Sequence, residues 1–398
     1  MSFPQAVKSF AFSRHSSLVA YILIAIVASI QALTIGFYPG SDGFLYTDFN
    51  NYIIFRQSFF HLLDGRSLYS WFPGEHYDLY KYSPAFALFF GALAWLPDYI
   101  GLPLWNILNG VILWVAVRQL PLSAKQQSLI VWFCLIELLT SMQSAQSNGL
   151  LAGLMILALA HMEKRKVLLA TLWIVLATFI KVYGAAAFII FFFYPQKPRF
   201  VLYSALWSLV FFFIPLVVIS FPALMEQYRG WISMMSHDQS ISYGISVMGW
   251  LQSWFGLANI KNYIMILGVA LFFLPLVMVK AFKLQRFRLL FLAHVLIWII
   301  IFNHKAESPT FIIAMAGVGI WYMAAPSALW RTLILWFVFI GTGLSHTDLF
   351  PAPIRQQFIY PYVIKVFPCI IAWIAVMSDL LITSRKEAEF LPQSPAAD

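Results

Sequence analysis

Long apolar runs recur from end to end of the chain, and short polar stretches separate them. Many are continuous and approach the ~20 residues that cross a bilayer as a helix, and they lack the alternation over about ten residues that marks a membrane β-barrel. The runs fall near 18–37, 102–117, 126–141, 148–161, 166–181, 184–194, 200–221, 260–280, 288–302, 308–325, 330–345 and 360–382. They predict an all-α polytopic membrane protein with about twelve transmembrane helices, forming one domain over residues 1–398. Several runs are short for a full crossing, which points to distorted helices or a thinned bilayer. Residues 84–97 are apolar too, yet the flanking loops leave room for only one crossing between there and 117. That segment is read as a helix that dips in without crossing, or lies along the surface. Thirteen spans is the alternative, and it moves basic loops to the wrong side.

Loop charge orients the spans. The basic loops are 161–166, 194–199, 280–288 and 327–331, with the tail at 384–386. The positive-inside tendency places them all in the cytoplasm, with both termini. Segments 40–83, 143–149, 181–184, 222–258, 303–309 and 346–359 then share the opposite, extracytoplasmic face. Lys8, Arg14 and His15 precede the first run, which is read as a retained anchor in the inner (plasma) membrane.

One stretch differs from all the others. From Gly40 to Pro84 the chain is polar, aromatic and acidic, carrying Asp42, Asp48, Asp64, Glu75 and Asp78. No later loop matches it in length and acidity together. Residues 38–83 are therefore expected to form a large first outer loop holding the active site, with 222–258 a second long outer loop. Between Asn50 and Asp64 the apolar and polar positions suit a short amphipathic helix lying in the interface. Asp48 precedes that helix. It is either its N-cap or a general base that takes a proton from an acceptor hydroxyl, and Asp42 is its nearest rival.

Composition narrows the function classes. The 398 residues are 61% hydrophobic and only 10% charged, against about 25% charged in an ordinary soluble domain. The net charge of +9 comes largely from the basic loops, so it does not call for nucleic acid. Cys134 and Cys369 both lie in apolar runs, which gives no disulfide framework and no thiolate metal site. Asp42, Asp48, His61, Glu75, His76 and Asp78 show no tight ligand spacing, so no metal is expected. The first loop lacks a glycine-rich nucleotide cradle, and no cofactor is expected.

A set of motifs in fixed order adds to this. Asp48-Phe49, Gly65, Tyr69, Tyr82-Ser83-Pro84, Trp105, Asn109, Asn148-Gly149 and Thr178-Phe179-Ile180-Lys181 resemble glycosyltransferase family 87. That family includes polyprenol-phosphate-mannose-dependent mannosyltransferases. The resemblance is strongest over roughly 40–185. It implies the GT-C architecture, a polyprenyl-phosphate sugar donor and a catalytic aspartate in the first outer loop, which Asp48 matches. It implies a membrane hexosyltransferase, with mannose or another hexose or pentose as the sugar and a lipid or glycan as the acceptor. The protein is expected to be a monomer among membrane lipids, with no nucleic-acid partner.

The remaining candidates follow from residue type and position. Lys181 ends an apolar run on the expected outer face, where a lysine either snorkels to water or clamps the donor phosphate. His304 is the histidine expected to matter most, binding that phosphate or sharing proton transfer with Asp48. Lys305 would neutralise phosphate, with Glu307 orienting either neighbour, and Pro309 would start the next helix. Arg56 pairs with Asp64 or reaches phosphate. Tyr82, Asn148 and Asp42 are candidates for substrate contact, and His237 for shaping the acceptor side. A transporter or flippase for a lipid-linked sugar is the alternative function. Such proteins place ionisable groups at mid-span, where this chain has mainly Glu137 and His294.

Overall fold

The computed structural model describes residues 14–40, 45–237, 243–257 and 259–383. Among these the chain is nearly all-α. It packs as two compact units, Met1–Ile241 and Ser242–Asp398, each described by itself.

The first unit begins with α1 (Arg14–Ile35), then a two-residue antiparallel pair, β1 (Tyr38–Pro39) and β2 (Leu45–Tyr46). Helix α2 (Asn50–Leu63) occupies the stretch expected to be amphipathic. Its apolar positions are buried against α3 (Pro84–Ala94) rather than left in an interface. Phe55 sits at the centre, with edge contacts to Tyr82, Phe86, Phe90 and Trp105 at 4.8–5.6 Å. At 11 residues α3 is about 16 Å long, roughly half the hydrocarbon thickness. Ser83 starts it, its Oγ accepting from the Phe86 amide at 3.2 Å while Pro84 takes the first turn.

Helices α4 (Asp98–Gln119), α5 (Ala124–Gln143), α6 (Asn148–Glu163), α7 (Val167–Ile180) and α8 (Lys197–Phe213) complete the bundle. A 3-10 stretch, Val182–Phe193, continues the chain beyond α7. Apolar Ala85, Val175 and Phe211 join α3, α7 and α8. Helix α9 (Phe221–His237) returns to the first loop. Gln227 on it accepts from the Leu68 amide at 3.0 Å and donates to the Arg66 carbonyl at 2.9 Å. Much of the expected second long loop is thus helical, and Gln227 ties its first helix to the first loop.

The second unit holds α10 (Val247–Phe255), α11 (Lys261–Phe273), α12 (Gln285–Ile301), α13 (Phe311–Ala324), α14 (Leu329–Val338) and α15 (Phe367–Ser378). Helices α12 and α13 are buried over most of their length and form its core. His294, one of the mid-span exceptions, has both ring nitrogens engaged: Nδ1 accepts from Trp373 at 3.0 Å and Nε2 meets the Phe272 carbonyl at 3.1 Å. Arg331 and Asp379 form a buried ion pair, with Trp321 Nε1 also donating to Asp379 at 2.8 Å. Partnering of this kind makes buried charge tolerable.

Among the described residues four helical stretches are long and apolar enough to cross a membrane: His15–Ile35, Asp98–Gln119, Lys197–Val217 and Ile364–Ile382. Seven further apolar helices among them run 10–17 residues. Pro215 and Pro275 lie in 3-10 turns that end the α-helical parts of the runs 200–221 and 260–280.

Candidate active site

The site in the first unit is built around a tight turn, residues 143–148, between α5 and α6. Helix α4 holds it from behind. Trp105 Nε1 donates to the Ala145 carbonyl at 2.9 Å. Asn106 Nδ2 donates to the Met142 carbonyl at 3.2 Å and to Ser29 Oγ on α1 at 3.0 Å. Asn109 Oδ1 accepts from the Leu150 amide at 2.9 Å. Ser147, at the N-cap of α6, makes no side-chain cap, so Asn109 supplies one from another helix. Ala145 holds a positive φ of 48°, costly for a residue with a Cβ and sustained here by the Trp105 bond. Trp105 and Asn109, both singled out by family resemblance, are thus among the residues that fix this turn.

At the far end of the turn, Asn148 Oδ1 accepts from Lys181 Nζ at 2.8 Å, and Asn148 Nδ2 donates to Gln146 Oε1 at 2.6 Å. Asn148 is fully buried and Gln146 nearly so, whereas Lys181 is half-buried. Lys181 lies where α7 stops and the backbone turns extended, before the 3-10 stretch begins. Its ammonium stands 5.7 Å from the centre of the Tyr82 ring and 5.8 Å from that of Tyr183, within cation–π range. Tyr82 is carried there by the capping sequence: the Ser83 amide donates to the Phe179 carbonyl at 3.4 Å, and Tyr69 Oη donates to the Tyr82 carbonyl at 2.9 Å. Three sequence candidates, Tyr82, Asn148 and Lys181, therefore meet.

At the near end of the turn, Asp48 is exposed and lines a cleft of about 290 Å³ with Ala28, Gln31, Ala32, Gln143 and Ser144. The N-cap of α2 is Phe49, with no side-chain capping bond, so Asp48 does not cap the helix. Asn51 Nδ2 donates to the Ser144 carbonyl at 2.9 Å, tying the start of α2 to the turn. Gln31 and Gln143, absent from the sequence-derived candidates, are bonded to each other at 2.9 Å. Gln31 stands as a single glutamine in an apolar run and Gln143 opens the polar segment 143–149, and those were their only signals.

The other candidates fall elsewhere. Arg56 bonds Asp98 at 3.0 Å and the Ala94 carbonyl at 3.2 Å, stapling α2 to the α3–α4 junction. Asp64, the partner read from sequence, is not the one it meets. Asp42 and the His237 side chain lie outside the described residues. His61 Nε2 meets Glu75 at 2.7 Å, and Arg66 reaches the same carboxylate at 3.3 Å. Burial lowers the His61 imidazole below its usual value, against the opposing pull of Glu75. Among the described residues no three His, Cys, Asp or Glu side chains cluster as a metal site.

In the second unit, His304 and Lys305 are half-buried and Glu307 is exposed in the turn between α12 and α13. Asn303 Oδ1 accepts from the Lys305 amide at 2.9 Å, and Thr310 Oγ1 donates to the Glu307 carbonyl at 2.6 Å. Pro309 lies in the 3-10 lead-in to α13. Lys365, fully buried, donates to Ser308 Oγ at 2.8 Å. In the sequence Lys365 is a lone cation early in the apolar run 360–382, the one local sign of its role.

The comparisons bear on this arrangement. No curated protein matches the chain. Glycosyltransferase family 87 matches residues 80–340, a stretch that takes in Tyr82, Asn148, Lys181, His304, Lys305 and Glu307 and starts after Asp48. A match of that extent, over a helical chain with several apolar helices, makes this a multi-pass membrane protein and a glycosyltransferase: the chain belongs to glycosyltransferase family 87.

Proposed function

We propose that the protein transfers a sugar, mannose or another hexose or pentose, from a polyprenyl-phosphate donor to a lipid or glycan hydroxyl. The reaction takes place on the extracytoplasmic face of the inner (plasma) membrane. Asp48 accepts the proton of the acceptor hydroxyl. The freed oxygen forms a bond to the anomeric carbon as the bond from that carbon to the phosphate oxygen breaks. The phosphate leaves with the electron pair, and one displacement inverts the centre. Lys181 stabilises the charge on the departing phosphate. Apolar helices, about twelve crossing the bilayer in a GT-C arrangement, receive the prenyl tail.

The observation that carries this reading is the bond from Lys181 to Asn148. The bond fixes where the ammonium stands at the end of the turn. An ammonium so held at a helix break, beside Tyr82, suits a phosphate at the edge of a membrane. Arg56 is occupied by Asp98 and is left out of the clamp. His304, Lys305 and Glu307 enter the proposal on residue type alone.

Membranes carrying the protein, given radiolabelled polyprenyl-phosphate sugars, should transfer label, and Asp48→Asn should not. Undiminished transfer by that variant removes Asp48 from the mechanism. No transfer from any such donor favours a flippase. His304→Ala and Lys305→Ala enter the same assay. Single cysteines at 164 and 305 should label from opposite sides of the membrane.

A further inference from the structure

The cleft at Asp48 has a wall that nothing so far assigns. Ala28, Gln31 and Ala32 are spaced three and four apart and share one face of α1. Opposite them stand Gln143, at the end of α5, and Ser144, whose carbonyl is tied to Asn51. Gln143 Nε2 donates to Gln31 Oε1 at 2.9 Å. That bond uses one donor of Gln143 and one lone pair of Gln31. Gln31 keeps its NH2 group and Gln143 its carbonyl oxygen for a ligand. The two amides and the Asp48 carboxylate thus present donors and acceptors around a space of about 290 Å³, at the small end for ligand pockets.

We infer that this cleft is the acceptor site and that the Gln31–Gln143 pair recognises adjacent hydroxyls of an uncharged sugar unit there. The inference rests on the reading of Asp48 as the base. The lining supports a neutral ligand. Among the described residues it contains a carboxylate and no cation, so a phosphate or carboxylate would be repelled at the point where a sugar hydroxyl is welcome. Amide side chains donate and accept at once, as neighbouring hydroxyls require. Ala28 and Ala32 add apolar surface against which the face of a ring can lie. Phosphate recognition is thereby separated from hydroxyl recognition, with Lys181 at one end of the 143–148 turn and the amide pair at the other. Ser144 and Asn148 are four residues apart, which limits their separation to about 14 Å.

The test uses the full chain in lipid nanodiscs and alkyl mannosides and glucosides as acceptor mimics. Saturation-transfer NMR reads their binding without depending on activity, and label transfer from a polyprenyl-phosphate sugar is measured in parallel. Gln31→Leu and Gln143→Leu should each weaken glycoside binding about tenfold and raise the half-saturating acceptor concentration by a similar factor. Thermal unfolding checks that each variant is folded. Glycoside binding that is unchanged in both variants overturns the assignment, as does the absence of glycoside binding to the wild-type protein. If the wild-type protein binds glycosides through these residues but transfers no label, the proposed donor chemistry fails while the cleft assignment stands.

Discussion

Lys181 and Asn148 are separated by 33 positions in the chain and joined by a 2.8 Å hydrogen bond. An ammonium only donates, so it turns the Asn148 carbonyl oxygen toward itself. The Asn148 NH2 must then face the other way, where it meets Gln146 Oε1 at 2.6 Å. One charged side chain thus sets the orientation of two buried amides, and they in turn hold it in place.

Replacing Lys181 by Ala removes the proposed charge-assisted contact to the donor phosphate, worth about 1.5–3 kcal/mol. The donor kcat/KM should fall by about 10- to 100-fold. Lys181→Arg should recover part of the loss. Initial rates of label transfer against donor concentration provide the measurement.

Asn148→Asp keeps an acceptor for Lys181 but adds a negative charge. Donor affinity should drop about tenfold while the protein stays folded. Asn148→Leu releases the lysine instead, and its effect should not add to that of Lys181→Ala, because both act on one contact. A double-mutant cycle on donor half-saturation checks this. Additive losses would show that Asn148 acts independently of Lys181.

Asp48→Asn should lower kcat by about 10²- to 10⁴-fold, the usual contribution of a positioned general base. Because Asp48 is exposed and makes no helix cap, the melting temperature should hardly move. The pairing of a large kinetic loss with a small thermal one distinguishes a reacting group from a structural one.

Two substitutions should act through structure alone. Asn109→Leu strands the buried Leu150 amide and should cost about 1–3 kcal/mol. Gly184→Ala places a Cβ 2.6 Å from the Ala177 carbonyl carbon, a backbone atom that cannot swing aside, and should cost about 1–3 kcal/mol. Both should lower the thermal midpoint, measured in detergent or nanodiscs.

His346 gives a pH dependence. Burial chiefly, then the charges of Lys365 and Arg355, hold its imidazole down to about 3, and the Tyr360 ring packs against it at 4.9 Å. A depressed value means that the unfolded chain takes up the proton first. The stability contribution is therefore complete above the usual value of about 6.5 and is lost progressively as pH falls from there towards 3. His346→Phe should flatten the acid limb of a plot of melting temperature against pH over that interval.

The sequence by itself determined that the chain is a helical membrane protein. Bilayer-length apolar runs and a 10% charged composition leave no other way to satisfy the backbone. It also placed a helix at 50–64, observed at Asn50–Leu63, because the apolar spacing there is local information. The break at Lys181 was legible as a cation closing an apolar run. Tertiary structure alone decided which partners meet. Arg56 had a carboxylate eight residues away in Asp64 and took Asp98 instead, because α2 packs across the α3–α4 junction. Gln31 and Gln143 lie 112 positions apart, and no periodicity connects them. The Asn109 cap on α6 and the Lys365 bond to Ser308 are hidden for the same reason. Periodicity reports which face of a helix is apolar. Which polar groups that face brings together depends on chain closure over tens of residues, and only the folded packing fixes that.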